Sequence, residues 1–433
     1  MTTPDIGRST VRWVTVLYVG SILLQRFAVP GLPVALILPL VLLGAAWGVA
    51  FGLAEFNRVR LIAWLLAASA TAIMFVIQTA LLDRNLVSLG SWGLFMTVWM
   101  PFTLQLVDRR VETYLRVLRN VVVATSVLAL GCVVMMVTQY AGLPYRDWMA
   151  EVVPSSWLLE DFVITYPISY GSPIYRANAW IGLEPSMVSL QMGVGLVAAL
   201  VMGARPRTVT LLFAGLVAAT SGSGLAILVV AIAVLLASSA RRQLRRYFVP
   251  TAVVVAVGLF SPMGQSIVGR VGEGTSEQSS TSLRAIYPYR YLWPDWATDF
   301  VGVVFGFGPG SSQRLVDQTG IMGLLVPSPI KIFFDYGLLA GVFLAAMIVL
   351  CFVGGHSRSL SVALFVSLWT LQPGTTTILV VIPVLLLVTW WSPRPDGPAL
   401  EDAFDPGRMD LSGSPDSTLA EELTPSPSRQ VRS

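Results

Sequence analysis

An all-α, polytopic membrane helical bundle is the fold class this sequence predicts, and three observations predict it. Hydrophobic residues make up 55% of the 433 residues and charged ones only 12%, whereas a soluble domain averages roughly a quarter charged residues. Apolar stretches at 33–53, 61–82, 120–141 and 332–352 each reach the roughly 20 helical residues that cross a hydrocarbon core. Arginine gathers in alternate connections between the apolar stretches, which is the signature of fixed membrane orientation.

The first apolar segment, 13–29, follows Arg8 and Arg12 and lacks a small-residue cleavage site. It reads as a retained span that also targets the chain. Further spans read at 33–53, 61–82, 87–106, 120–141, 186–203, 208–219, 225–240, 247–260, 330–353, 359–371 and 376–391. Short connections rich in Lys and Arg stay cytoplasmic. Here those are the ones carrying Arg58 and Arg60, Arg109 to Arg119, Arg205 and Arg207, Arg241 to Arg246, and Arg358. About twelve spans then leave both termini in the cytoplasm. Two long connections, about 142–185 and 261–329, face outward from the cytoplasmic (inner) membrane.

The segments 208–219 and 225–240 are short for a bilayer and meet at Thr220-Ser-Gly-Ser-Gly224. They read either as a shallow hairpin buried by other helices or as two tilted short helices with an ordinary turn. The transmembrane domain is expected over 1–392. The remainder, 393–433, is rich in Pro, Ser, Asp and Glu; it reads as a disordered cytoplasmic tail without enough apolar surface to fold.

Several chemistries lack material. Cys132 and Cys351 sit deep in apolar segments, and His356 is the one histidine. A disulfide framework, a Cys/His metal centre and a Ser-His-Asp triad are therefore not expected, and no metal or cofactor is called for. The pI near 9.2 is accounted for by membrane orientation, so nucleic acid is not an expected partner.

Chemistry-bearing residues concentrate in the two outer connections. The first opens with Trp148 and an amphipathic stretch, 154–162, suited to the membrane surface. It closes on Tyr175-Arg-Ala-Asn-Ala-Trp-Ile-Gly-Leu-Glu-Pro-Ser186. Glu184 precedes Pro185 at a helix start, where an acidic group complements the helix dipole. It is equally a carboxylate held at the membrane surface, near Arg176 or a substrate hydroxyl.

The second connection sets Arg284 and Arg290 among Tyr287, Tyr289, Tyr291, Trp293 and Trp296. Arginine forks match phosphate oxygens in pairs. The aromatic faces suit either sugar rings or the headgroup zone of a bilayer. Gly306-Phe-Gly308-Pro-Gly310 reads as a plain turn, because no strand-turn-helix context supports a phosphate cradle. Lys331 and Asp335 share a helix face, either as a structural ion pair or as the floor of a substrate cavity. Gln25, Arg26 and Gln191 are further candidates to line that cavity.

At these residues the sequence resembles the O-antigen polymerase and ligase family of bacterial envelope proteins. The run from Arg176 to Ser186 resembles the family's Arg…Glu-Pro-Ser element before a span. Thr220-Ser-Gly-Ser-Gly224 resembles its Thr-x-Ser-x-Gly turn. Ser282-Leu-Arg284 with Trp293 and Gly306-Phe-Gly308 resembles its outer segment. Asp335-Tyr-Gly-Leu-Leu-Ala-Gly341 resembles the opening of its next helix. The resemblance covers about 176–350.

It implies a polymerase or transferase acting on undecaprenyl-pyrophosphate-linked glycan at the outer face, without metal or nucleotide sugar, in exopolysaccharide, O-antigen-like or capsule assembly. Membrane lipid and polysaccharide assembly proteins are the partners it implies. Arg176 and Arg284 then hold the pyrophosphate, and Glu184 is the best placed base. Arg290, Tyr287, Trp293, Lys331 and Asp335 are expected to contact substrate. Ligases of this family carry a His-Asn pair where this chain reads Val326-Pro-Ser-Pro-Ile330, and no outer histidine exists, which favours polymerase over ligase. A polytopic transporter or flippase of lipid-linked glycans is the alternative reading.

Overall fold

The computed structural model describes residues 6–31, 34–159, 162, 164, 166–168, 172–260, 282–321, 324–370, 378–395 and 399–403. In chain order the first elements are α1 (Ile6–Leu24), α2 (Ile37–Ala50), β1 (Ala54–Phe56), α3 (Arg58–Ala80), α4 (Leu89–Trp99), β2 (Leu104–Leu106) and α5 (Val111–Tyr140). Then come α6 (Trp148–Val152), α7 (Pro185–Val201), α8 (Pro206–Ala219), α9 (Gly222–Leu236), α10 (Arg241–Leu244) and α11 (Phe248–Phe260). The last are α12 (Tyr287–Thr298), α13 (Phe300–Phe305), α14 (Ser311–Gln318), α15 (Ser328–Phe352), α16 (Arg358–Thr370), α17 (Ile378–Thr389) and α18 (Leu400–Ala403).

The chain is mostly helical, and α3, α5 and α15 are long and apolar enough to cross a membrane. Starts and stops follow local chemistry. Asn57 caps α3 by accepting from the Arg60 N–H at 3.1 Å, and Ser88 caps α4 through the Ser91 N–H at 3.2 Å. Pro185 and Pro206 open α7 and α8 at the position where a missing N–H costs nothing. Helix α7 is the centre of the bundle, buried from Met187 to Val201. Its neighbours approach through small residues: a Cβ on Gly193 would lie 2.7 Å from the Gly224 carbonyl oxygen, so these helices touch backbone to backbone.

The expected continuous span 87–106 is corrected, and the helix in the span expected at 33–53 covers only Ile37–Ala50. Helix α2 ends at Ala50 and α4 at Trp99, and the residues beyond the two helices form an antiparallel ribbon pairing Ala54 with Leu106 and Phe56 with Leu104. The segments expected at 208–219 and 225–240 are two separate helices of 14 and 15 residues. At 1.5 Å per residue each rises only about 21–23 Å.

Arg60 locks the ribbon end of the bundle. It is 2% exposed, and its guanidinium donates to the carbonyl oxygens of Leu104, Thr389, Cys351 and Ser392 at 2.5–3.4 Å. A planar fork with five donors satisfies four carbonyls from three chain segments at once.

Past the boundary expected at 393, the short helix α18 packs against the end of the bundle. Leu400 and Glu401 are buried. The Glu401 carboxylate accepts from Ser357 Oγ, Arg358 N, Ser359 N and Ser359 Oγ, capping α16 where its dipole is positive. Residues 404–433 of the expected tail lie outside the described residues. His356 is structural: its Nε2 sits 2.6 Å from the Arg109 carbonyl oxygen, and its ring stacks on Tyr114.

Candidate functional site

The run between Arg176 and Glu184 is a knot tied by one side chain. Asn178 is fully buried. Its oxygen accepts from the Trp180 N–H at 3.0 Å, and its amide donates to the carbonyls of Gly182 and Ile164 at 3.4 Å each. Ala179 and Trp180 carry φ of 54° and 61°, a left-handed conformation that side chains disfavour; Asn178 holds them in it. Gly182 is required by space: a Cβ there would lie 2.1 Å from a Val188 methyl.

The knot is fastened on every side. Gln139 of α5 accepts from Tyr175 N at 2.8 Å and donates to Tyr175 O at 3.0 Å. Ala177 N donates to Ala218 O at 3.3 Å.

This arrangement fixes Arg176 and Glu184 at its two ends. Arg176 is half-buried, donates its backbone N–H to Tyr166 O at 2.8 Å, and sets its guanidinium 5.4 Å from the Tyr166 ring centroid. Glu184 is half-buried at the N-cap of α7. Its carboxylate accepts from Ser186 Oγ at 2.8 Å.

One turn into α7, Ser189 Oγ donates to Ser221 O at 3.0 Å and accepts from Gly224 N at 3.1 Å. The Glu-Pro-Ser element and the Thr220–Gly224 turn are thereby joined.

Arg26 and Gln25, expected to line a cavity, are spent on structure. Arg26 is 1% exposed and pairs in two-pronged fashion with Asp147 at 2.8 and 2.6 Å, while a third bond reaches Trp180 O at 3.3 Å. Burial pushes the Asp147 carboxyl up, but the Arg26 hydrogen bonds and charge outweigh it and leave it below the usual carboxylate range. Gln25 is buried and donates to Ile22 O at 2.9 Å. The end of α1 thus clamps the first outer connection to the knot, and the amphipathic stretch at 154–162 contributes a bridge from Leu158 to Phe27.

The second outer segment, where described, carries the short helices α12, α13 and α14 joined by loops. Tyr287 is buried, Arg290 is exposed, and Trp293 is 48% exposed. Tyr289, Trp293 and Trp296 form a tilted stack with centroid separations of 6.4 and 4.9 Å, a shallow cleft closed by Pro329 and Phe333. Arg284 lies in the single π-helical turn Ser282–Ile286 that leads into α12; its side chain, and so its convergence with Arg176 and Glu184, lies outside the described residues. Arg84 ties this segment to the end of α3, pairing with Asp299 at 2.7 Å over the Phe307 ring.

Lys331 and Asp335 form the structural ion pair that their spacing allows, at 3.0 Å, with 2% and 0% exposure. The Gly306–Gly310 stretch is more than a turn. All three glycines have positive φ, and the loop wraps the Asp335 carboxylate. Gly310 N, Ser311 Oγ and Ser312 N donate to it at 3.0, 3.1 and 2.9 Å. The anion cradle therefore exists, and the protein's own carboxylate fills it.

Helix α15 breaks at Gly337, φ 67° and ψ −180°, which frees the carbonyls of Phe334 and Asp335 to accept from Phe307 N and Gly308 N at 2.8 and 2.9 Å. Gln78 bonds the same Asp335 carbonyl at 2.9 Å.

Asn178, Gln139, Asp147 and Gln78 are structural supports of these segments that sequence reasoning missed. Each is a polar residue next to or inside an apolar run, and its partner lies far away in sequence or on the backbone. Among the described residues no cluster of His, Cys, Asp or Glu is placed to hold a metal ion. The family described as WcaD colanic acid polymerase matches residues 13–325. No curated protein matches the chain.

Proposed function

This chain belongs to the WcaD colanic acid polymerase family, and from that premise we propose that it polymerises lipid-linked saccharide repeat units at the outer face of the cytoplasmic membrane. The observation that carries the reading is the Asn178-centred knot. It fixes a permanently charged fork, Arg176, and a carboxylate, Glu184, at the two ends of one short run that leads into a buried helix.

In this reading Glu184 takes the proton of an acceptor hydroxyl. The acceptor oxygen bonds to the donor's anomeric carbon as the bond from that carbon to the pyrophosphate oxygen breaks. The electron pair leaves with the polyprenyl pyrophosphate, whose developing charge Arg176 and Arg284 stabilise. Arg290 and the half-exposed Trp293 hold saccharide outside this centre. Lys331 and Asp335 act at one remove, by fixing the Gly306–Ser312 loop.

A strain lacking the protein tests the reading. It should lose the polymer and accumulate single lipid-linked repeat units on the outer leaflet. Accumulation on the inner leaflet instead would assign the chain to lipid-glycan transport.

A further inference from the structure

The basic side chains of this protein divide by what neutralises them. Arg26, Arg84, Arg110 and Arg358 each face an aspartate, and Arg60 is buried among backbone carbonyls. A different group has no carboxylate partner among the described residues. Arg205 and Arg207, at the start of α8, and Arg241, Arg242, Arg245 and Arg246, between α9 and α11, are all exposed.

These two connections form one surface. The Tyr247 hydroxyl donates to the Ala204 carbonyl at 2.6 Å, and Arg246 lies over the Tyr247 ring. The acidic groups of α18, described beside this surface, are already engaged. Ser239 Oγ bonds the Glu401 carbonyl, but the Glu401 carboxylate caps α16 and Asp402 pairs with Arg358 at 2.9 Å.

Apolar surface begins immediately beyond the arginines. Phe248 is 74% exposed, Val249 68% and Leu236 55%. Guanidinium forks bordered by exposed apolar side chains match a molecule with phosphate at one end and hydrocarbon at the other.

We propose that this surface binds the phosphate headgroup of an anionic phospholipid, in whichever leaflet it meets. Arg205 and Arg207 approach the headgroup from one connection and Arg241 to Arg246 from the other, while Phe248 and Val249 lie against the acyl chains. An acidic protein segment would match the arginines but leave those apolar side chains without a partner. The proposal does not depend on the polymerase reading.

The test measures lipid retained by the purified full-length protein in nanodiscs and by native mass spectrometry. Phosphatidylglycerol is compared with phosphatidylcholine of the same acyl chains. Wild type should retain phosphatidylglycerol preferentially. A basic residue near an anionic surface contributes roughly fivefold in affinity. The variant R241Q/R242Q/R245Q/R246Q should therefore lose the preference by at least about tenfold.

The milder pairs R205Q/R207Q and R241Q/R242Q should each lose part of it, which keeps the test decisive if the fourfold variant does not fold. R116Q/R119Q, exposed on α5, should keep it. Equal retention of the two lipids by wild type, or an unchanged preference in both pairs, would overturn the proposal. So would a preference seen only after truncation beyond Ala403, because the acidic residues Asp405, Asp410, Asp416, Glu421 and Glu422 would then be the occupant in the whole chain.

Discussion

Asp335→Ala should unfold this protein more readily than any other single change at the Gly306–Ser312 loop. The carboxylate is the shared acceptor for Lys331 Nζ, Gly310 N, Ser311 Oγ and Ser312 N. Removing it leaves a lysine that is 2% exposed without a counter-charge, together with buried N–H donors without acceptors. Breaking one half of a buried pair costs about 3–5 kcal/mol, a large share of the stability of a typical fold.

Asp335→Asn keeps the shape and one acceptor oxygen, so its loss should be smaller. Lys331→Met should be milder still, since three donors to the carboxylate remain. Thermal unfolding of the three purified variants checks the order. If all three match wild type, the pair does not anchor the loop, and its place as a cavity floor returns.

Arg176→Ala should abolish most polymer while the protein remains in the membrane at normal level. A fixed donor facing transition-state charge typically contributes about 100- to 1,000-fold in rate. Arg176→Lys keeps the charge but loses the planar fork, so activity should fall by less than with alanine yet stay well below wild type. Arg284→Ala should match Arg176→Ala. Arg314, exposed on α14 beyond the glycine loop, should tolerate alanine. Glu184→Gln should reduce activity by about 10²- to 10⁴-fold if it is the general base. Polymer length in a complemented deletion strain is the readout; full-length polymer from Arg176→Ala and Arg284→Ala alike would return both arginines to the role of interfacial side chains.

The helical membrane class was legible in one dimension because composition and apolar run length respond to the bilayer directly. The Lys331–Asp335 pair was legible because four residues make about one helical turn. The cradle around Asp335 was not, because the loop that supplies Gly310 and Ser312 lies 25 and 23 residues away.

The ribbon of β1 and β2 was hidden because three-residue strands, one just past the run 33–53 and one at the end of the run 87–106, have no period of their own. The break at Gly337 was hidden for a related reason: glycine in an apolar helix reads as a packing residue, and only its backbone approach to Gly306 shows the bend. At the candidate site Arg176 and Glu184 are proposals drawn from residue type, position and the family resemblance. Asn178 was not among them, because its work is done on backbone groups of the knot.

The central claim, that the chain forms glycosidic bonds between lipid-linked repeat units, is tested most directly by reconstitution. Purified protein in liposomes would receive only the polyprenyl-pyrophosphate-linked repeat unit. The expected result is a ladder of lengthening glycan, with one polyprenyl pyrophosphate released for each bond formed, and no ladder from Arg176→Ala. Movement of the lipid-linked unit across the bilayer, with no ladder and no released pyrophosphate, would contradict the claim.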